Sequence, residues 1–286
     1  MTSTFIFTVI MLSVLGILLA VVLYFVAQKF KVFEDPRIDE VSALLPGANC
    51  GGCGFAGCRA FAERCVQSET FEGLFCPAGG NAAMSAIAQA LGKTAEEQTP
   101  KIAVLRCGGG CGKREKSNRY DGMGTCAVAA ALYDGDTACS YGCLMMGDCA
   151  RACSFGGLVM DAQTGLPVAD ETICTACGAC VKACPKSLLE LRNKGPKGRR
   201  VWVSCQNGDK GAVARKACQV ACIGCGKCVK ACTFEAISLK DNVAYIDFNT
   251  CKLCRKCVSE CPTGAIIEVN FPPKKVDPST KLPSEN

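Results

Sequence analysis

Cysteine is the residue through which this chain can do chemistry, and its spacing says which. Three segments repeat C-x2-C-x2-C-x3-C: Cys174, Cys177, Cys180 and Cys184; Cys222, Cys225, Cys228 and Cys232; Cys251, Cys254, Cys257 and Cys261. A fourth, Cys139, Cys143, Cys149 and Cys153, runs C-x3-C-x5-C-x3-C. Runs of this kind bind [4Fe-4S] clusters, and in the bacterial two-cluster pattern the fourth cysteine of each run ligates the other cluster of its pair. That crossing rule predicts four ligand sets. The second centre takes Cys139, Cys143, Cys149 and Cys184, and the third takes Cys174, Cys177, Cys180 and Cys153. The fourth takes Cys222, Cys225, Cys228 and Cys261, and the fifth Cys251, Cys254, Cys257 and Cys232. The second departs furthest from the pattern: its insertions could reshape the loop or alter the potential, or Cys139 could give way to another thiol as a ligand. Zinc also accepts four thiolates, but its sites usually join two separated C-x2-C knuckles rather than a run of three and a distant partner.

A first centre precedes these four. Cys50, Cys53, Cys58 and Cys76 run C-x2-C-x4-C-x17-C, with glycines at 51, 52, 54 and 57 where backbone must fold tightly and offer N–H groups to a cluster. Residues 59–75 have helical character, with Phe61 and Cys65 four apart, and would return the fourth thiolate to the first three. Cys65 reads as a small buried apolar residue. Five more cysteines remain, Cys107, Cys111, Cys126, Cys205 and Cys218. They admit two readings, a sixth centre or cysteines without a role; the absence of a shared ferredoxin spacing favours the second. The expectation is therefore five [4Fe-4S] clusters, with a sixth left open.

Composition excludes much else. Among 286 residues there are 26 cysteines and no histidine, which removes imidazole ligands, the commonest general base and every Cys/His or Ser/His pair. The formal charge of +6 counts each cysteine as neutral. A [4Fe-4S]2+ centre on four thiolates carries about −2, so five would bring the chain to about −4, and no nucleic-acid partner is implied. No P-loop is found, and Gly108, Gly109, Gly110 and Gly112 do not satisfy G-x-G-x-x-G, so flavin or nucleotide is not expected on this chain.

Three kinds of element must position these thiols. Residues 5–27 are uncharged and apolar throughout, the length of a transmembrane helix. Lys29 and Lys31 follow at once and place the remainder in the cytoplasm by the positive-inside rule. That compartment is reducing, which favours metal thiolates over disulfides. After each final cysteine of the runs comes a turn and a short apolar strand, as in Cys184-PKSLLEL and Cys261-PTGAIIEV. Strands also lead into Cys107 (Ile102 to Arg106) and Cys205 (Val201 to Ser204), so the duplicated unit is larger than a ferredoxin alone. The expected fold is α+β: a single N-terminal transmembrane helix, a small helical 4Fe-4S domain, and two tandem bacterial-type 2[4Fe-4S] ferredoxin-like units. Expected boundaries are 1–31 (span 5–27), 32–92, 93–191, 192–270 and a disordered tail 271–286.

The anchor followed by Leu45-Pro46-Gly47-Ala48-Asn49-Cys50-Gly51-Gly52-Cys53-Gly54-Phe55-Ala56-Gly57-Cys58, with ferredoxin pairs behind it, resembles the B subunit of the Rnf complex over nearly the whole chain. That family serves membrane-bound ferredoxin:NAD+ oxidoreductases that move sodium ions or protons. Many members have one ferredoxin pair, and two mark a longer variety. The resemblance implies a subunit of a translocating oxidoreductase in a bacterial cytoplasmic membrane. It would accept electrons from reduced soluble ferredoxin and pass them to membrane iron–sulfur and flavin subunits, with no substrate chemistry of its own. Two rivals share the thiols: a polyferredoxin beside a hydrogenase or formate-oxidising enzyme, and an iron–sulfur redox sensor. Five centres favour a wire over a sensor, which needs only one. Finally, Arg192, Lys194, Lys197, Arg199 and Arg200 form a basic run whose default reading is a solvated linker and whose functional reading is a docking patch for an acidic ferredoxin.

Overall fold

The computed structural model describes residues 2–29, 35–132 and 134–273. Lys31 and residues 274–286 of the tail lie outside the described residues. Helix α1 (Thr2–Lys29) is apolar on all faces and ends on Lys29. Its 28 residues span about 42 Å at the α-helical rise, more than the roughly 30 Å of a bilayer core. It is the one helix among the described residues long and apolar enough to cross a membrane, and none of its span is buried.

Three helices follow, α2 (Arg37–Ala43), α3 (Cys58–Gln67) and α4 (Gly80–Leu91). They close around Val41, Phe61, Ala62, Cys65, Met84 and Ile87, all essentially inaccessible, with Phe55 edge-on to Phe61 at 5.6 Å. Helix α4 stops at Gly92, whose φ of +64° suits a residue without Cβ. The chain then sends Lys93 back across the end of α3, where its ammonium donates to the carbonyl of Cys65 at 2.7 Å and to that of Ser68. A cation there complements the negative end of the helix.

The remainder is one plan used twice. The first unit runs β1 (Lys101–Leu105), α5 (Cys126–Leu132), α6 (Asp148–Arg151), β2 (Leu158–Met160), β3 (Pro167–Ala169), α7 (Ala179–Ala183) and β4 (Leu189–Asn193). The second runs β5 (Arg200–Val203), α8 (Gly211–Ala217), α9 (Lys227–Ala231), β6 (Ile237–Lys240), β7 (Val243–Ile246), α10 (Lys256–Ser259) and β8 (Ile266–Val269). In each, the first strand pairs antiparallel with the last, β1 with β4 and β5 with β8, and the middle two pair with each other. Such two-stranded ribbons and helices of four to seven residues are too short to stand alone.

The units pack against each other through their first strands. Trp202 of β5 packs with Ile102 and Val104 of β1 in one small core, and its indole N–H donates to the Leu105 carbonyl at 2.9 Å. The basic run differs here from a solvated linker. Arg192 lies in β4, is buried, pairs with Glu190, and sits over the rings of Tyr245 and Phe248 at 5.2 and 5.4 Å. Arg200 is buried against Glu171, and Lys194 donates to the Glu171 carbonyl at 2.7 Å. Guanidinium groups stack on aromatic faces and fork onto carboxylates, so a run of charges became the joint between the units. Arg192 and Arg200 are thus unavailable to a docking partner.

Candidate metal centres

The first set is built by a loop between two helices. Cys58 begins α3 and Cys76 lies just before α4. A hollow of about 320 Å³ is bounded by Cys50, Cys53, Cys58 and Cys76 together with Leu45, Pro46 and Phe61. Asn49 holds the loop shut, accepting the Cys58 N–H at 2.8 Å and donating to the Gly47 carbonyl at 3.2 Å. The Gly79 N–H donates to Cys76 Sγ at 3.4 Å. Cys65 lies in the core of this domain instead, where burial pushes its thiol up to about 11.

The four runs share a backbone signature that fixes their register. In the run from Cys174, left-handed residues stand one before Cys177 (Ala176, φ +57°), one after it (Gly178, +79°) and three after Cys184 (Ser187, +50°). The run from Cys222 repeats this with Gly224, Gly226 and Glu235, and the run from Cys251 with Leu253, Arg255 and Gly264. Successive turns of this hand aim backbone N–H groups into a concavity that favours an anionic occupant. Leu253 N–H, for example, donates to Cys251 Sγ at 3.5 Å. A short helix then carries the third cysteine of each run, Cys180, Cys228 or Cys257, into a buried position.

The irregular run obeys the same signature with Met145, Gly147 and Gly156. Its first cysteine is therefore Cys143, its third Cys149 and its fourth Cys153, and Met146 stands where the second cysteine belongs. The missing sulfur comes from elsewhere. A hollow of about 380 Å³ is lined by Cys126, Cys143, Cys149 and Cys184, with Cys126 supplied by the first residue of α5. Cys139, expected in this set, precedes the wrapped loop and is not among the residues lining that hollow, where Cys126 stands instead. The substitution of Met146 in C-x2-M-x2-C-x3-C was the signal that could have found Cys126.

The other sets come together around their own short helices. A hollow of about 360 Å³ is lined by Cys222, Cys225, Cys228 and Cys261. Burial first, then the neighbouring Cys174, Cys177, Cys149 and Cys153, pushes the Cys180 thiol up to about 12. Burial, then Cys251, Cys254 and Cys228, does the same to Cys257, and Cys232 is among the thiols raising Cys251. Thiols so reluctant to ionise would release their protons to solvent on binding a metal. Among the described residues, no three Cys, Asp or Glu side chains are grouped tightly enough to hold a single ion. The donors of these sets are soft sulfurs spread round a hollow, which fits a multi-iron cluster. Of the remaining cysteines, Cys111 is exposed beside Met145 Sδ at 4.0 Å, while Cys107, Cys139, Cys205 and Cys218 are buried where the two units meet.

Within each half of the molecule the sets lie close together. A Cβ built on Gly52 would stand 2.7 Å from the Cys177 carbonyl, so the loop of the first set lies directly on that of the third, an approach open only to glycine. Cys149 of the second set neighbours Cys180 of the third, and Cys228 of the fourth neighbours Cys257 of the fifth.

Comparison with known proteins agrees with this chemistry. Residues 45–72 match a family described as a putative Fe-S cluster, and residues 166–233 and 221–265 each match a 4Fe-4S dicluster domain. The match at 166–233 joins a run from each unit, passing over the run with Met146, whereas in the structure that run pairs with its neighbour through α6 and α7. Over 89% of its length the chain is 42% identical to a protein of Acetobacterium woodii, covering 75% of it, named as the B subunit of a Na(+)-translocating ferredoxin:NAD(+) oxidoreductase complex. A proton-translocating counterpart in Clostridium ljungdahlii is 41% identical over 92% of each chain. The B subunit of an ion-translocating oxidoreductase complex of Methanosarcina acetivorans is 40% identical over 93% of this chain and 99% of its own.

Proposed function

The chain belongs to the B-subunit family of ion-translocating oxidoreductase complexes of the Rnf type, and we propose that it is the ferredoxin-facing electron carrier of such a complex. Its role is electron transfer within an oxidoreductase that, as a whole, reduces NAD+ and moves Na+ or H+. Bound [4Fe-4S] clusters supply one-electron redox chemistry with little structural change. The chain's own residues hold them. The sets are Cys50, Cys53, Cys58 and Cys76; Cys126, Cys143, Cys149 and Cys184; Cys174, Cys177, Cys180 and Cys153; Cys222, Cys225, Cys228 and Cys261; and Cys251, Cys254, Cys257 and Cys232.

The observation that supports this reading is the close approach of sets within each half of the molecule: the Gly52 loop lies against Cys177, Cys149 stands near Cys180, and Cys228 stands near Cys257. A sensor needs one accessible centre, whereas contact between sets serves passage of charge. Cys225 and Cys254 are exposed, so the second unit presents ligand sulfurs to a soluble donor such as reduced ferredoxin. The first set lies at the opposite end of the chain order, nearest to α1, and faces the membrane iron–sulfur and flavin partners. Lys29 at the end of α1 supports, by the positive-inside rule, a single span with the bulk of the chain in the cytoplasm.

The test is anaerobic purification of the tagged chain from gently solubilised membranes, followed by assay for ferredoxin-dependent NAD+ reduction. Activity with flavin-bearing partners is the expected outcome. A cluster-loaded chain bound instead to a hydrogenase or a formate-oxidising enzyme would replace this reading with the polyferredoxin one.

A further inference from the structure

We propose that Arg192, a residue of the first ferredoxin-like unit, raises the reduction potential of the fifth centre, in the second unit, by holding a buried positive charge beside Cys251. Arg192 stands in β4, yet its side chain crosses the joint. Its guanidinium lies 5.2 Å from the centre of the Tyr245 ring and 5.4 Å from that of Phe248, and it donates to the Val201 carbonyl at 3.4 Å. Arg192 bounds a hollow of about 660 Å³ together with Val201, Phe248, Cys251 and Leu253, all four from the second unit. A cation of one unit and a cluster-binding cysteine of the other thus face the same space.

The charge is not cancelled locally. Arg192 is 1% exposed, and its Nε donates to Glu190. That carboxylate also faces Arg106, 4.0 Å away, so two cations share one anion and the three side chains keep a net charge of +1. The Arg106 guanidinium lies 5.0 Å from the same Tyr245 ring. Arg192 Nη2 and Arg106 Nε are buried, and no hydrogen-bond partner for either is found among the described residues. The other basic side chains on the hollow differ. Arg200 is paired with Glu171, while Lys194 and Arg199 are partly exposed, where solvent and salt screen them. Asp247, a carboxylate that also feels Arg192, is partly exposed and accepts from the Asn249 N–H at 3.0 Å and the Thr250 hydroxyl at 2.7 Å. Burial raises the Cys251 thiol, and Arg192 acts against that by favouring its ionised form.

The same attraction has a redox consequence. One electron takes a four-thiolate [4Fe-4S] centre from about −2 to about −3, with no bond made and no proton taken up. A fixed cation stabilises the more negative state and so raises the potential. At an effective dielectric of about 20, a unit charge still changes such an equilibrium by a factor of about ten at about 12 Å. The duplicated plan does not return the charge: Arg192 follows Cys184 as Val269 follows Cys261, and Val269 is neutral. In the electron-carrier reading the second unit meets the soluble donor, through exposed Cys225 and Cys254. A raised potential at the fifth centre draws the electron inward, and it lasts only while the two units are joined.

The inference rests on the proposed ligands of the fifth set, and one experiment separates the two. The full-length chain, prepared anaerobically, is titrated with dithionite in the presence of redox mediators and followed by low-temperature EPR. Cys254→Ala marks the fifth centre by the signal it removes. At the potential where that centre is half reduced in the natural chain, we expect Arg192→Gln to lower the ratio of reduced to oxidised centre about tenfold, a shift of about 59 mV to the negative for one electron. Glu190→Gln, which leaves two cations without their anion, should shift the midpoint to the positive. Opposite signs from the two partners of one ion pair are what a charge produces, whereas loosened packing would move both the same way. If Arg192→Gln fails to fold, Glu190→Gln decides alone, its carboxylate being partly exposed. An unchanged midpoint in either folded variant, or shifts of one sign, overturns the role of Arg192. A Cys254→Ala protein that keeps every signal would overturn the fifth set itself, and the inference with it.

Discussion

The two ferredoxin-like units follow one plan, yet the second is regular and the first is not. In the second, both runs keep C-x2-C-x2-C-x3-C, and the buried core gathers Val201, Val203, Ala214, Ile237, Val243, Ala244, Ile246 and Ile266 round the thiols. In the first, the core is reduced to Ala103, Leu158 and Leu189 with Cys149 and Cys180, and one run has Met146 where a ligand belongs. The lesson is that a cluster loop is specified by its backbone turns and not by its sulfurs. Met145, Gly147 and Gly156 keep the left-handed turns of Ala176, Gly178 and Ser187, although Met146 carries no thiol and the fourth cysteine lining the hollow is Cys126, on a separate helix.

That comparison is broken most sharply by moving the ligand back. Cys126→Ser should cost the second set its cluster, about four iron per chain, whereas Cys126→Ser/Met146→Cys should recover it by restoring the regular run. Iron counts on the two variants beside the natural chain check this, and a Cys126→Ser protein with full iron would return the fourth ligand to Cys139.

A smaller effect is expected at the joint, where equivalent positions hold Val104 in one unit and Trp202 in the other. Trp202 is nearly buried and ties the units through Leu105, so Trp202→Ala should destabilise the holoprotein by about 3–5 kcal/mol. Loss of cluster absorbance in urea, read beside the natural chain, measures it; an unchanged midpoint would mean that the units stand without this contact.

The smallest effects sharpen the comparison of turns. Gly224 and Ala176 occupy the same left-handed position, at φ +63° and +57°. Gly224→Ala should destabilise by about 1–3 kcal/mol, since its Cβ would also stand 2.8 Å from the Asn242 carbonyl. Ala176→Gly, relieving the unfavourable hand, should stabilise by about 0.5–1 kcal/mol. Thermal unfolding of the anaerobic holoproteins reads both signs.

Much of this architecture was legible from residue order. The strands after Cys153, Cys184, Cys232 and Cys261 and those before Cys107 and Cys205 are found as β2, β4, β6, β8, β1 and β5, because local alternation after a fixed turn is enough to specify them. What escaped depends on contacts distant in sequence. Cys126 meets Cys143 only because α5 packs over the loop, and Arg192 and Arg200 of the basic run are buried against Glu171, Tyr245 and Phe248, none of which adjoins the run. A charge run carries no mark of the aromatic faces it will meet.

The crossing of ligands also writes a timetable into synthesis. With the proposed ligands, the first set would be complete once residue 76 has emerged, but both sets of the first unit would wait for Cys180 or Cys184, and no set of the second would be complete before Cys257 or Cys261. A ribosome that stalls within residues 185–256 therefore leaves a first half able to fill its own sites and a second half with open thiols. Chains cut off there are the ones that the cell's cluster-delivery and proteolytic machinery must tell apart from finished protein.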